Sequence, residues 1–248
     1  MCTISQLNVN ELKHVESTSN SKIANLVWEF NFRPDHYTHM SWLDQMPDGP
    51  IIKKLVGKQR SADRIVQYLL QRFGLENQVF FNFSNALTRI ALWSGDDLER
   101  LVLYTGTVFY FKRVQKIVVR EEVQQLQEQL GSDLFSFMHR RAALMKGNLP
   151  LDLKLPEKLD PHHSLIVAGM LCLNQALQEY PIALRKRLML KLPYQWYLLL
   201  KKAEPLGKQL HGQNKEYLVQ FMGVSSEKDT PFLYIWASYF SCYKKVGR

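Results

Sequence analysis

The stretch Leu165 to Leu173 is the longest apolar run in the chain and constrains its fold most. It is about half of the roughly 18 residues that a membrane-spanning helix needs. With Ile166, Met170, Leu173, Leu177 and Tyr180 at helical spacing, it reads as a buried helix that stops or kinks at Pro181. A helix buried on every side needs other helices around it, and the chain supplies apolar faces of that period. After Ser61, read as an N-cap, Ile65, Leu69 and Phe73 share one face, with Gly74 as the stop. Leu98, Leu101, Val102 and Val108 share another behind Asp96-Asp97, where Gly106 marks a close helix contact or a break. Val123, Leu126, Leu130, Leu134 and Met138 keep the period, and the β-branched Val114–Val119 before them is read as helix too.

Further helices are expected over Val79–Trp93, over Tyr194–Glu204 ending near Pro205 and Gly207, near Tyr217–Met222 and over Pro231–Tyr243. Ile182–Lys191 is short, very basic and apolar in alternation, and Ile51–Gly57 is a short apolar stretch. Lys22–Phe32 enters the fold as a short strand or an irregular segment. The expected class is mainly α, a compact irregular helical bundle with that strand as its one exception. Residues 1–21 read as a flexible polar extension and 22–248 as one helical domain. The Pro-rich stretch 147–161 is the one place where that domain could divide. No secretory leader opens the chain, so it is expected to stay in the compartment where it is made.

Cys2, Cys172 and Cys242 are odd in number, far apart and in no CxxC pair, which suits free thiols in a reducing cytosol. The phosphate-loop pattern fails at Ile52 and at Gln59, and no GxGxxG, GxSxG or HExxH is present, so no catalytic or cofactor site is expected. His36 with His39 lack nearby carboxylate or thiolate partners for a metal, and His162-His163 read as a loop pair. Asp96-Asp97 and Glu121-Glu122 fit surface charges at helix starts better than acid–base groups.

The formal net charge of +9 raises the expectation of an anionic partner without choosing among nucleic acid, lipid and acidic protein. Three basic clusters carry it: Lys53, Lys54, Lys58, Arg60 and Arg64; Lys112, Arg113, Lys116 and Arg120; and Arg185, Lys186, Arg187 and Lys191. Aromatics flank the second, an interleaving used by single-stranded nucleic-acid binders, so a basic helical nucleic-acid-binding protein is the alternative function. Solvated helix faces are the simpler reading, and Arg185, Lys186, Arg187 and Lys191 are taken as a candidate basic surface. Trp236, Tyr239, Phe240 and Tyr243 form an aromatic stripe on the last expected helix, as core or as a groove-filler for a partner.

The densest patch of unusual chemistry runs from Phe32 to Leu43. Phe32, Pro34, Tyr37, His39 and Leu43 follow the pattern Phe-x-Pro-x-x-Tyr-x-His-x-x-x-Leu, with Trp42 inside it. This pattern resembles the N-terminal signature of the SctK family of type III secretion, whose members include YscK, PscK, OrgA and MxiK. Asp97–Gly106 is similar to the family's central helix leading to a glycine, and Lys186–Pro193 to its basic, leucine-rich segment ending in proline. Order and spacing agree from about residue 28 to 193, while the leading residues and Trp42 are local departures.

The resemblance implies a non-enzymatic cytosolic adaptor of the injectisome sorting platform, beneath the inner-membrane ring and without membrane insertion. It implies binding to the cytosolic domain of the ring protein SctD and to the SctQ pods, and so indirectly to SctL and the SctN ATPase, with no nucleic acid. Phe32, Pro34, Tyr37 and Leu43 would then either face a partner or pin the N-terminus onto the body. Their apolar density favours pinning.

Overall fold

Pro161–Ala176, labelled α10 below, runs through the middle of the protein and is buried on nearly every side from Ser164 to Ala176. The computed structural model describes residues 21–115, 117, 119–142 and 160–210. Asp160 starts α10 by accepting the His163 main-chain N–H at 2.9 Å, and Pro161 occupies the first turn, where its missing N–H costs nothing. His162 and His163 therefore belong to a capped helix start rather than to a loop, and Asp160-Pro161 is the sequence signal that says so.

The partner that α10 contacts most is α7, Gly95–Val114. Gly106 and Gly169 let the two backbones meet. A methyl carbon on Gly106 would stand 2.7 Å from the Leu165 carbonyl carbon and closer still to its oxygen. One on Gly169 would stand 2.8 Å from the Val102 carbonyl carbon, so each glycine lies under the other helix's main chain. Of the two sequence readings of Gly106, close contact is the one realised.

Around this pair lie α1 (Ser21–Phe32), α6 (Ala86–Ile90), α8 (Arg120–Leu130), α9 (Ser132–Phe137), α11 (Ile182–Leu190) and α12 (Tyr194–Leu210). One large apolar core joins them, with Leu98, Leu165, Met170 and Leu188 among its fully buried members. A second, smaller core of Leu43, Met46, Ile52, Ile65 and Leu69 sits between α3 (Met40–Leu43), α4 (Gly49–Leu55) and α5 (Ala62–Arg72). The short helix α2 (Pro34–Tyr37) packs on α5 and links the two regions.

The class is all-α, and among the described residues there is no strand. Lys22–Phe32 is therefore helical, with Val27 and Phe30 turned into the core. Val79–Ser84, expected as helix, is extended or irregular, and only Ala86–Ile90 is helical there. The cause is tertiary: the Asn31 side chain accepts the Phe80 N–H at 2.8 Å and donates to the Phe80 carbonyl at 2.8 Å. That exchange replaces the helical bonds Phe80 would otherwise make. Helix α7 ends at Val114, and Gln115, Ile117 and Val119 are not helical, so the expected continuous helix does not hold at the described residues of this stretch. The expected end near Pro205 is also passed, since α12 runs on to Leu210. Proline removes one helical donor but keeps a helical φ. Most of 147–161, and the expected helices beyond Leu210, lie outside the described residues.

Candidate interaction site at the N-terminal motif and the basic helix

Helix α11 carries Arg185, Lys186 and Arg187, with Lys191 at its C-cap. It was expected to form a basic surface, but Arg187 is 0% exposed and Lys191 6%. The spacing explains why. Arg187 lies four residues after Ala183 and three after Leu184, on the face that enters the core, and Lys191 is one turn further along. Among the described residues neither cation meets a carboxylate within ion-pair distance. Instead the inward-facing cations donate to main-chain carbonyls at the ends of other segments. Lys186 Nζ reaches the Phe73 carbonyl at the end of α5 at 3.2 Å. Arg187 Nη2 reaches the Asn31 carbonyl near the end of α1 at 3.1 Å, and the Leu75 carbonyl at 3.5 Å. Lys191 Nζ reaches the Trp93 carbonyl beyond α6 at 2.8 Å. Helix ends expose carbonyls without partners and carry partial negative charge, so cations placed there hold those ends together.

Aromatic faces complete the cage. The Lys191 ammonium stands 5.5 Å from the Phe30 ring centre and 5.2 Å from that of Tyr37, and the Arg187 guanidinium 5.9 Å from Phe30. Burial pushes the Lys191 ammonium down to about 8, lowers Arg187 and raises the Tyr37 hydroxyl above its ordinary value. Arg187 Nε and Nη1 are buried and find no hydrogen-bond partner among the described residues.

The motif residues close this cage from the other side. Pro34 and Leu43 are buried, and Tyr37 donates its hydroxyl to the Phe30 carbonyl at 3.0 Å. The His39 main-chain N–H reaches the Leu190 carbonyl at 2.8 Å, and Trp42 Nε1 the Leu192 carbonyl at 2.9 Å. Ser41 Oγ accepts the Tyr194 N–H, at 2.8 Å, at the start of α12. Rather than capping its own helix, Ser41 donates its N–H to His39 Nδ1, the cap of α3. Trp42 lies edge-on to Phe73 and to Tyr194, with ring centres 6.0 and 4.9 Å apart. The motif thus caps the end of α11, while α11 caps the end of the helix that leads into the motif.

Phe32 is half-buried and continues outward in a row with Trp28 and Phe81, at 6.1 and 6.5 Å. Trp28 is 49% exposed. Contrary to the sequence reading, carboxylates do lie beside both histidines, Glu29 and Asp35 at His36 and Glu99 at His39, but the two rings point to different ones and do not converge. Among the described residues no group of three His, Cys, Asp or Glu side chains is placed to hold a metal. Cys172 is buried with its thiol pushed well up by desolvation, a core position rather than a reactive one. Asp96-Asp97 and Glu121-Glu122 occupy first helical turns. Trp236, Tyr239, Phe240 and Tyr243 lie outside the described residues, as do Cys2 and Cys242.

Residues 25–222 match the family model of YOP proteins translocation protein K, YscK. The chain belongs to the YscK family. This is the SctK family of type III secretion, so the chain is a type III secretion component, from a family of secretion parts and not of known enzymes. Comparison with curated proteins gives no match, and comparison with solved structures gives none either. All three family-like stretches, Phe32–Leu43, Asp97–Gly106 and Lys186–Pro193, fall inside the YscK match, and the first and third are hydrogen-bonded to each other here. No helix of the described residues is long and apolar enough to cross a membrane.

Proposed function

We propose that the chain is a non-enzymatic adaptor of the injectisome sorting platform, joining the cytosolic domain of SctD to the SctQ pods and so supporting effector sorting and export. Through SctQ it works indirectly with SctL and SctN, at the cytosolic side of the inner-membrane ring. The observation that carries this reading is the YscK match over residues 25–222. The interior fits a part that holds a fixed shape, because among the described residues the buried cations Arg187 and Lys191 donate to main-chain carbonyls and tie separate segments together. In the same reading the Phe32–Leu43 motif fastens the N-terminal helix to α11 and keeps the outer faces in a fixed relation.

The test is co-purification of the full chain with the SctD cytosolic domain and with SctQ, separately and together. A ternary complex is the expected result. Capture of neither, or of only one at a time, overturns the bridge. For the motif, Tyr37→Ala is expected to lower stability by about 2 kcal/mol, because it removes a half-buried ring stacked on Phe30 and the bond to the Phe30 carbonyl. Unchanged stability with lost capture would show that Tyr37 faces a partner instead.

A further inference from the structure

The basic cluster between Lys53 and Arg64 lies on the outside of the fold. Asp44 neutralises Lys53, but Lys54, Lys58, Arg60 and Arg64 are exposed, and none has an ion-pair partner among the described residues. The fold gathers them at one corner. Ser61 Oγ donates to the Leu55 carbonyl at 3.1 Å and to the Lys58 carbonyl at 3.2 Å, folding the link between α4 and α5 back onto the end of α4. Lys54 and Lys58 therefore flank the end of α4, while Arg60 and Arg64 flank the start of α5. Cations at a helix end are favourable and cations at a helix start are not, so folding alone does not account for the second pair. Ile51 stands one helical turn before Lys54 and is 61% exposed, the most exposed large apolar side chain described.

We infer that this corner docks an acidic segment of a partner protein, with an apolar side chain seated against Ile51 and carboxylates facing Lys54, Lys58, Arg60 and Arg64. The inference rests on the adaptor reading, and it assigns one of the platform contacts to the face of α4 and α5. A protein fits better than the other polyanions. Single-stranded nucleic acid needs free aromatic planes, whereas the nearby Tyr68 and Phe73 pack against the small core, and Phe73 also on Trp42. An anionic bilayer would meet the exposed carboxylates of Asp48 and Asp63 in the same small region of the fold and be repelled by them. A protein can place its own cations opposite those carboxylates and gain register from them.

The experiment compares the full chain with a variant carrying Lys54→Glu, Lys58→Glu, Arg60→Glu and Arg64→Glu. A second variant with glutamine at all four positions serves if the first folds poorly. Each is titrated against the SctD cytosolic domain, against SctQ, against phosphatidylglycerol-containing vesicles and against a single-stranded oligonucleotide, over a range of salt. The expected result is binding to one of the two proteins weakened ~10-fold or more at unchanged thermal stability, with a salt dependence that the variant loses. If the parent chain binds neither protein, the adaptor reading falls and this inference with it. If it binds and the variants bind equally well, this inference alone falls. Unchanged protein binding with lost vesicle or oligonucleotide binding assigns the corner to lipid or nucleic acid and overturns it as well.

Discussion

Replacing Gly106 or Gly169 by alanine tests the backbone contact on which the main core is built. Either methyl would sit under 3 Å from a carbonyl carbon of the opposing helix, so α7 and α10 have to separate locally by about 1 Å to restore ordinary contact. The side chains nearest the crossing, Val102 and Leu165, then lose about a third of some 40 contacts each, at ~0.1 kcal/mol per contact. That is about 3 kcal/mol for the pair. Alanine returns about 1 kcal/mol per site through its higher helix propensity. Each single variant is thus expected to be about 2 kcal/mol less stable in urea unfolding, with an unchanged denaturant slope.

The double variant separates those helices through the same movement while gaining propensity twice. Its loss is expected to be about 1 to 2 kcal/mol, no larger than that of either single change. An additive loss near 4 kcal/mol would mean that the two glycines are strained independently and that the shared crossing is the wrong picture. Single variants within about 0.5 kcal/mol of the parent would refute the close approach altogether.

Other consequences are simpler to measure. Lys191 has a folded value near 8 against an ordinary 10.5, so the unfolded chain binds more protons between those limits and stability conferred at this site rises with pH across that window. Comparison with Lys191→Met cancels the other titrating groups, and the gap in unfolding free energy should move toward the parent by up to about 3 kcal/mol from pH 8 to 10.5. A flat gap refutes the buried charge. Arg187→Ala should cost more than about 3 kcal/mol by denaturant unfolding, because it empties a core position and frees the Asn31 carbonyl. Arg185→Ala, at a half-buried position, should cost under about 1 kcal/mol. Asp160→Ala should cost about 1 kcal/mol through loss of the α10 cap. The Asp160 carboxyl is held below its ordinary value chiefly by its bonds to His163. The stabilisation it gives is therefore present above the ordinary carboxylate range and lost as pH falls through the lowered value, which acid unfolding of the variant would check.

Helix existence is legible wherever one apolar face is long enough, as in α5, α7 and α10. The sequence is ambiguous where two periods coincide. Phe80, Phe83, Leu87 and Ile90 are spaced like a helical face, yet the bonds that decide the backbone at Phe80 come from Asn31, 49 residues away. No local pattern announces that partner. The family motif is legible as a dense aromatic patch, but its bonds to Leu190 and Leu192 are not. Arg187 and Lys191 mislead in a different way. A run of cations suggests water, while their register with Ala183 and Leu184 points inward, and only carbonyls at the ends of distant helices let both be true. His162-His163 was readable all along from Asp160-Pro161 just before it.

The small core of Leu43, Met46, Ile52, Ile65 and Leu69 has a bearing on motion. A cluster of that size holds α4 and α5 against the rest far less firmly than the main core holds α7 and α10. The two helices are thus expected to open before the bundle unfolds, which faster amide exchange in α4 and α5 than in α7 and α10 would check. Whatever seats on their outer side, and any loosening of Trp42 beneath, would register first as a change in how often this flap opens.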